Sequence, residues 1–204
     1  GLCLVGSEMC IRDSFDSNKR YPIIFHIYGG PSAPTVFNQW QGSSLYYDNI
    51  LLNKGFLILR FDHRSASAVS KKLENRLTMM MSGPRELTDI SDGIEWLQSQ
   101  TYVDSTRLGI WGWSGGGSFT LNAMTNTRYF KAGISGAPVT DWHYYDTKWA
   151  EFAMKKPQDN LKGYKQTSFV KSAKNLHGRL LLIHGTYDDN AVSYTHLRAH
   201  ETES

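Results

Sequence analysis

Short apolar runs alternate with stretches of helical periodicity along most of the chain. The apolar runs predict five strands, at residues 21–28, 55–61, 107–111, 132–135 and 179–184. Leu87, Ile90, Ile94 and Leu97 recur at helical spacing after Pro84, and residues 118–124 predict a second helix. Continuous apolar strands alternating with helices are typical of a mostly parallel, doubly wound sheet covered on both faces. The pattern therefore predicts an α/β domain whose ligand site lies beyond the carboxyl ends of the strands.

The two ends of the chain are antisense to each other. Codons permitted for residues 9–14, read on the opposite DNA strand, encode residues 191–196, and the match extends outward to both termini. Protein segments have no physical reason to be antisense, whereas one DNA adapter joined to both ends of a fragment gives this pattern directly. We therefore expect residues 1–14 and 191–204 to be non-native, adapter-derived tails outside the core, leaving residues 15–190 as one domain.

Composition narrows the function classes once these tails are set aside. Both cysteines, Cys3 and Cys10, lie in the first tail, so residues 15–190 contain no disulfide and no cysteine-metal site. The chain has a formal net charge of +3, and its basic residues are dispersed. A protein that binds nucleic acid more often carries a run of lysine or arginine. No apolar run approaches the roughly 20 residues that cross a bilayer, so we expect neither a nucleic-acid partner nor a membrane segment here.

Gly112, Ser114 and Gly116 fit the G-x-S-x-G pattern of a nucleophile elbow. A predicted strand enters the motif and a predicted helix leaves it. Such a turn holds a serine hydroxyl above the sheet edge, while glycines relieve crowding. The Gly115 N–H then points to where an oxyanion would form. The motif predicts a catalytic serine at Ser114, against the alternative of a merely glycine-rich turn.

An acid follows the last predicted strand, as the triad order of this architecture requires. Asp188 and Asp189 stand in the turn after that strand. The alternative interpretation is that the aspartate only caps an ordinary turn. The elbow upstream favours the role of a triad acid.

Four motifs, in the right order over nearly all of residues 21–190, resemble the catalytic domain of the prolyl oligopeptidase family. They are Tyr28-Gly29-Gly30-Pro31, Gly112-Trp113-Ser114-Gly115-Gly116, Tyr144-Tyr145-Asp146 and His184-Gly185-Thr186-Tyr187-Asp188-Asp189-Asn190. The Tyr-Tyr-Asp element and Trp113 point to the dipeptidyl peptidase IV branch. The resemblance implies an α/β-hydrolase fold and a serine peptidase without cofactor or metal. Its substrates would be peptides with Pro or Ala in the penultimate position, cleaved through an acyl-enzyme.

The resemblance also implies a role for each matching residue. Ser114 is the nucleophile and Asp188 the triad acid, while the Tyr28 hydroxyl and the Gly115 N–H stabilise the oxyanion. A further set matches the substrate pocket: Val139, Trp142, Tyr145 and Trp149 line an apolar site for a proline ring, and Asn190 helps to hold the substrate carbonyl. Flat aromatic walls suit a rigid pyrrolidine, although plain core packing is the alternative for the aromatic residues. The family more often has a tyrosine in place of Trp149.

Two parts of the family's machinery have no counterpart in this sequence. The family histidine follows the acid by a few dozen residues, but here the second tail follows Asn190. The other histidines are expected in strands (His26, His184), in loops (His63, His143, His177) or in the tail (His196, His200). We therefore expect a C-terminally truncated, inactive fragment. The second missing part is the propeller that grips a substrate amino terminus, so dipeptide release rests on analogy. The resemblance is compatible with a homodimeric parent that is periplasmic or secreted.

Two other function classes share some of these features. A carboxylesterase or lipase has the same elbow and acid, but more often carries His-Gly-Gly-Gly where Tyr28-Gly29-Gly30-Pro31 stands. A non-catalytic binding domain of the same fold typically loses the serine, the acid or the tyrosine, and all three are present. Zinc hydrolysis would require an H-E-x-x-H motif, which the sequence lacks.

Overall fold

A six-stranded, mostly parallel sheet is the framework of the structure, a computed structural model that describes residues 6–39, 42–66 and 70–191. The strands are β1 (Gly6–Cys10), β2 (Tyr21–His26), β3 (Leu57–Asp62), β4 (Val103–Trp113), β5 (Ala132–Gly136) and β6 (Arg179–Ile183). The helices are α1 (Ser44–Asn53), α2 (Lys71–Glu74), α3 (Pro84–Gln98), α4 (Gly115–Asn126), α5 (Thr147–Met154), α6 (Leu161–Gln166) and α7 (Phe169–Ser172).

The strands lie in the order β1-β3-β2-β4-β5-β6, and β1 is antiparallel to β3 while the other pairs are parallel. The chain runs from β2 outward to β3 through α1, then returns across β2 to β4 through α3. Because such crossovers are right-handed, the reversal puts α1 on one face and α3 and α4 on the other. The predicted doubly wound sheet is confirmed. Its switch point lies between β2 and β4, where a crevice forms at the carboxyl ends.

The face beneath α3 and α4 holds the main core. Alternate residues of β2, β3 and β4 point to this face, and the helical stripe predicted from the sequence packs onto them. The members include Phe25, Leu59, Phe61, Ile110, Ile90, Ile94, Leu97 and Phe119, each at most 2% exposed. The burial of this stripe therefore fixes α3 and α4 against the strands that end at the switch point.

The opposite face contains a buried charge beneath α1. Arg60, at 2% exposure, points from β3 to Asp48 of α1, and its guanidinium is paired with the Asp48 carboxylate. The Glu8 carboxylate lies 3.4 Å from the same guanidinium. A buried guanidinium requires such partners, because its desolvation is otherwise uncompensated. The ion pair therefore helps to fix α1 on this face, together with the buried Leu52 and Ile58.

Part of the first tail belongs to the sheet, which corrects the expectation that residues 1–14 lie outside the core. Gly6–Cys10 pairs with β3 over five residues, and Met9 packs against the main core. The physical reason is that β3 offers an open edge whose backbone groups can pair with any extended segment. In the second tail, Ala191 is buried, and residues 192–204 lie outside the described part of the chain.

The far edge of the sheet exposes apolar side chains. Within the described residues, β6 pairs only with β5, and Leu181 is 54% exposed. Leu182 and Ile183 are exposed as well, and Ile134 of β5 adds to the surface. Separately, no helix in the described ranges is long and apolar enough to cross a membrane.

We expect Asp48→Asn to destabilise the fold by about 2 kcal/mol, because Arg60 then keeps its buried charge with only Glu8 opposite it. Asp16→Asn is the matched control: it removes the same charge from a pair with Lys19 that is exposed and 3.9 Å long. The control should lower the free energy of unfolding by less than about 0.5 kcal/mol. Urea unfolding followed by tryptophan fluorescence measures both, and equal effects would contradict a structural role for the buried pair.

Candidate active site

Ser114 occupies a strained turn between β4 and α4. Its φ of 54° and ψ of −117° lie outside the regions that L-residues favour. The Ser114 N–H donates to the Gly136 carbonyl over 2.8 Å, and the Ser118 N–H closes the first helical turn on the Ser114 carbonyl at 3.1 Å. These bonds hold the serine at the sheet edge, at the N-terminus of α4. The geometry is that of the predicted nucleophile elbow.

The elbow glycines are required by close backbone approach. A Cβ on Gly112 would lie 2.3 Å from the Ile27 carbonyl oxygen, and one on Gly116 would lie 2.1 Å from the same atom. Gly115 differs, since the nearest atom to its Cβ position is 3.4 Å away. The outer glycines therefore allow α4 to pack against the end of β2, and this packing places Ser114 beside the segment that follows β2.

That segment carries Tyr28, and a buried histidine holds it. The Ser65 N–H donates to His63 Nδ1 over 3.2 Å, so the neutral ring carries its proton on Nε2 and donates to the Gly29 carbonyl over 2.8 Å. Burial lowers the pKa of His63, which keeps the ring neutral. Gly29 has a φ of +70°, and a Cβ there would lie 2.4 Å from His63 Nε2. His63 thus lies in a loop, as its sequence position predicts, and anchors the segment that carries Tyr28.

One small cavity of about 120 Å³ opens at Ser114. It brings together eight of the nine predicted site residues, which are Tyr28, Ser114, Gly115, Val139, Trp142, Tyr145, Trp149 and Asn190. Gly29, Gly30, Pro31, Met81, Ser82 and Phe119 complete the lining. The site therefore combines a serine, a tyrosine hydroxyl, a helix N-terminus and an aromatic wall around one space.

The aromatic wall is ordered by specific contacts. Trp142 and Tyr145 meet edge to face with centroids 5.7 Å apart. The Tyr145 hydroxyl donates to Asn190 Oδ1 over 2.9 Å, and burial raises the pKa of the phenol, with Asp146 adding to the rise. Tyr145 is therefore a neutral donor at neutral pH. Trp149 is 38% exposed at the rim of the cavity.

Two polar residues of α4 hold the loops around the cavity. The Ser118 hydroxyl donates to the Val139 carbonyl over 2.9 Å and accepts from the Val139 N–H over 3.0 Å. The Asn122 amide donates to the Ser82 carbonyl over 2.8 Å. The motifs did not point to these residues. The one available signal is that both are polar in a helix that is otherwise almost wholly buried.

The structure does not place Asp188 among the residues that line the cavity. Its Oδ1 accepts from the backbone N–H groups of Asn190 (3.1 Å) and Ala191 (2.9 Å). Its Oδ2 lies 3.6 Å from Nε2 of His184, whose ring also contacts the Ala191 carbonyl. Asp188 thus caps its own turn in this structure, and its catalytic role stays a prediction.

No histidine of the described ranges lines the cavity at Ser114. His26 stacks on Trp111 with centroids 4.2 Å apart, and burial lowers its pKa to about 4. His143 bonds to Asp141 at an exposed position. Over the same described residues, no group of three His, Cys, Asp or Glu side chains is placed to hold a metal ion.

Comparison with known proteins assigns the family. Residues 43–202 match the model of the prolyl oligopeptidase family. The chain belongs to the prolyl oligopeptidase family. Membership confirms the resemblance drawn from the four motifs, and with the topology described above it confirms the predicted α/β-hydrolase fold.

Relatives of this family member include "Probable dipeptidyl-aminopeptidase B" of Ajellomyces dermatitidis, 35% identical over 87% of this chain and 19% of the relative. The protein of the same name from Coccidioides posadasii is 32% identical over the same shares. Among solved structures, Porphyromonas gingivalis dipeptidyl peptidase 4 superposes with a TM-score of 0.90 at 31% identity, over 96% of this chain and 27% of that one. The chain thus spans about a fifth of the length of its curated relatives.

Gly112→Ala should destabilise the domain by about 3 kcal/mol, because the new methyl group meets the Ile27 carbonyl with no room to move. Gly115→Ala is the control within the same motif and should change stability by less than about 1 kcal/mol, since its Cβ would make only ordinary van der Waals contacts. Chemical denaturation of the two variants measures the difference. Equal losses would show that the elbow does not depend on this close approach.

Proposed function

We propose that the chain carries part of the catalytic domain of a serine peptidase that cleaves peptides after proline, or less well alanine, near their amino terminus. The observation that carries the proposal is the single cavity shared by Ser114, Tyr28, Gly115 and the aromatic wall. The names of the relatives support dipeptide release: they are a dipeptidyl-aminopeptidase B and a dipeptidyl peptidase 4.

The reaction we propose begins at the Ser114 hydroxyl. The oxygen bonds to the scissile carbonyl carbon while the hydroxyl proton passes to a base, and the carbonyl electron pair moves to the oxygen. The Gly115 N–H and the Tyr28 hydroxyl donate to this oxyanion. When the C–N bond breaks, the amine takes up the proton and the acyl group stays on Ser114. Water then attacks this ester in the same way and releases the acid.

The cavity lining accounts for the proposed preference for proline. Val139 is 4% exposed and Trp142 is 5% exposed, so the inner wall of the cavity contains two buried apolar side chains. A pyrrolidine ring is small, rigid and apolar, and loses little conformational entropy on entering such a site. The Tyr145 hydroxyl and the Asn190 amide form a polar rim, where the carbonyl of the preceding residue would be held.

Asp188 completes the proposal as the residue that orients the base. Its turn fixes one carboxylate oxygen through the N–H groups of Asn190 and Ala191. A carboxylate held in this way stabilises an imidazolium partner without taking its proton. The base itself would be a histidine supplied by the natural protein beyond Asn190.

The natural protein that contains residues 15–190 should hydrolyse Xaa-Pro amide substrates faster than Xaa-Ala ones. Ser114→Ala should lower kcat by a factor of about 10⁶, because no other group can form the acyl-enzyme. Assays with chromogenic dipeptide amides and with short acyl esters distinguish a peptidase from a carboxylesterase. Turnover of esters without turnover of amides would favour the carboxylesterase, and full activity of Ser114→Ala would refute the assignment.

The 204-residue chain itself should be almost inert toward a fluorophosphonate probe. A serine without a base is a weak nucleophile, so labelling of Ser114 should be slower than in the natural protein by about 10⁴-fold or more. In-gel fluorescence with Ser114→Ala as the background control measures the rate. Rapid stoichiometric labelling would show that another residue of the chain acts as the base.

A further inference from the structure

Met81 and Ser82 form one wall of the cavity at Ser114, and we call this pair the Met81/Ser82 wall. Its backbone is unusual, since Ser82 has a φ of 56°. A Cβ on the following Gly83 would lie 2.5 Å from the Met80 carbonyl oxygen. A serine in the left-handed region costs free energy and persists only where neighbouring groups hold it there.

Glu86 holds the backbone of Ser82 and Gly83 in this conformation. Its two carboxyl oxygens accept from the backbone N–H groups of Ser82 and Gly83, each over 3.2 Å, and the residue is 1% exposed. A glutamate in the first turn of a helix commonly bonds to the N-cap N–H alone, which here belongs to Gly83. The bond to Ser82 reaches one residue further, into the wall itself.

The carbonyl groups of the wall accept hydrogen bonds from the aromatic wall and from α4. The Met81 carbonyl accepts from Trp142 Nε1 over 3.1 Å. The Ser82 carbonyl accepts from Asn122 on α4, the helix that begins immediately after Ser114. A shift of the wall would therefore move the indole of Trp142 relative to the nucleophile.

Burial raises the pKa of Glu86 to about 7, while its own backbone N–H and those of Gly83 and Ser82 act to lower it. The charged groups that face it are Asp89 on the same helix and Arg64 from the segment after β3, and these two are themselves paired. Above this pKa the carboxylate offers an acceptor oxygen to each N–H group. Below it, one oxygen becomes a hydroxyl and one of the two bonds weakens.

We propose that Glu86 is the positioning residue of the substrate pocket: its carboxylate holds the Met81/Ser82 wall through two backbone N–H groups, and protonation releases the wall and the Trp142 indole bonded to it. This rests on the proposed function only in taking the cavity as the substrate pocket. Glu86 touches no reacting atom and acts through the wall.

The first test follows the Trp142 indole N–H by ¹⁵N NMR in the 204-residue chain, from about pH 5.5 to about 8.5. Trp142→Phe assigns the signal. We expect its shift to titrate with a midpoint near pH 7, and to stay constant across the range in Glu86→Gln. Glu95→Gln, an exposed position on the same helix, is the matched control and should titrate like the parent. A parent signal that does not titrate overturns the proposal without any variant. A titration that persists in Glu86→Gln overturns it as well.

The second test separates this proposal from the proposed function. A dipeptide ending in proline is titrated into the chain and its affinity measured at about pH 6 and about pH 8. We expect several-fold tighter binding at the higher pH in the parent and in Glu95→Gln, and weak, pH-independent binding in Glu86→Gln. If the Trp142 indole signal titrates but the dipeptide does not bind, Glu86 remains the positioning residue and the proline pocket is refuted. Equal pH dependence of binding in the parent and in Glu86→Gln refutes the role of Glu86 alone.

Discussion

The close approach of the elbow to the Ile27 carbonyl is the constraint on which the rest of the site depends. Gly112 and Gly116 both leave that oxygen uncrowded, so α4 lies directly against the ends of β2 and β4. The crevice at the switch point is therefore narrow, and the residues that follow β2 and β4 line the same cavity. A side chain at either glycine would push α4 away from the end of β2, and with it Ser114 from the segment that carries Tyr28.

The elbow helix also acts as a support for the rest of the pocket. Its first residues include Gly115, whose N–H is the proposed oxyanion donor, while Ser118 and Asn122, one and two turns on, bond to backbone groups on two different loops. Buried polar side chains are costly unless every group finds a partner. Ser118 and Asn122 satisfy their polar groups with the loop backbones, whereas Thr120 and Thr125 bond within the helix, so the first two residues tie the loops to α4.

The sequence predicted the features that depend on local pattern. Apolar periodicity located five of the six strands and the main helical stripe, and glycine spacing located the elbow. It did not indicate β1, because pairing with the open edge of β3 depends on backbone groups and not on side-chain type. It also missed Met81 and Ser82, whose place in the cavity arises from a left-handed turn at a serine. For Asp188, the local pattern allows both a turn cap and a triad acid, and the structure contains the turn cap.

The walls of the cavity come from chain segments that lie far in sequence from the elbow. Met81 precedes it by a whole helix and strand, while Val139 and Trp149 follow it after another strand. In the proposed peptidase, reactivity and selectivity are thus encoded in separate segments of the chain. Substitutions that reshape the accepting surface can accumulate in these segments while the elbow stays unchanged, so related enzymes can diverge in the peptides they accept and keep one chemistry.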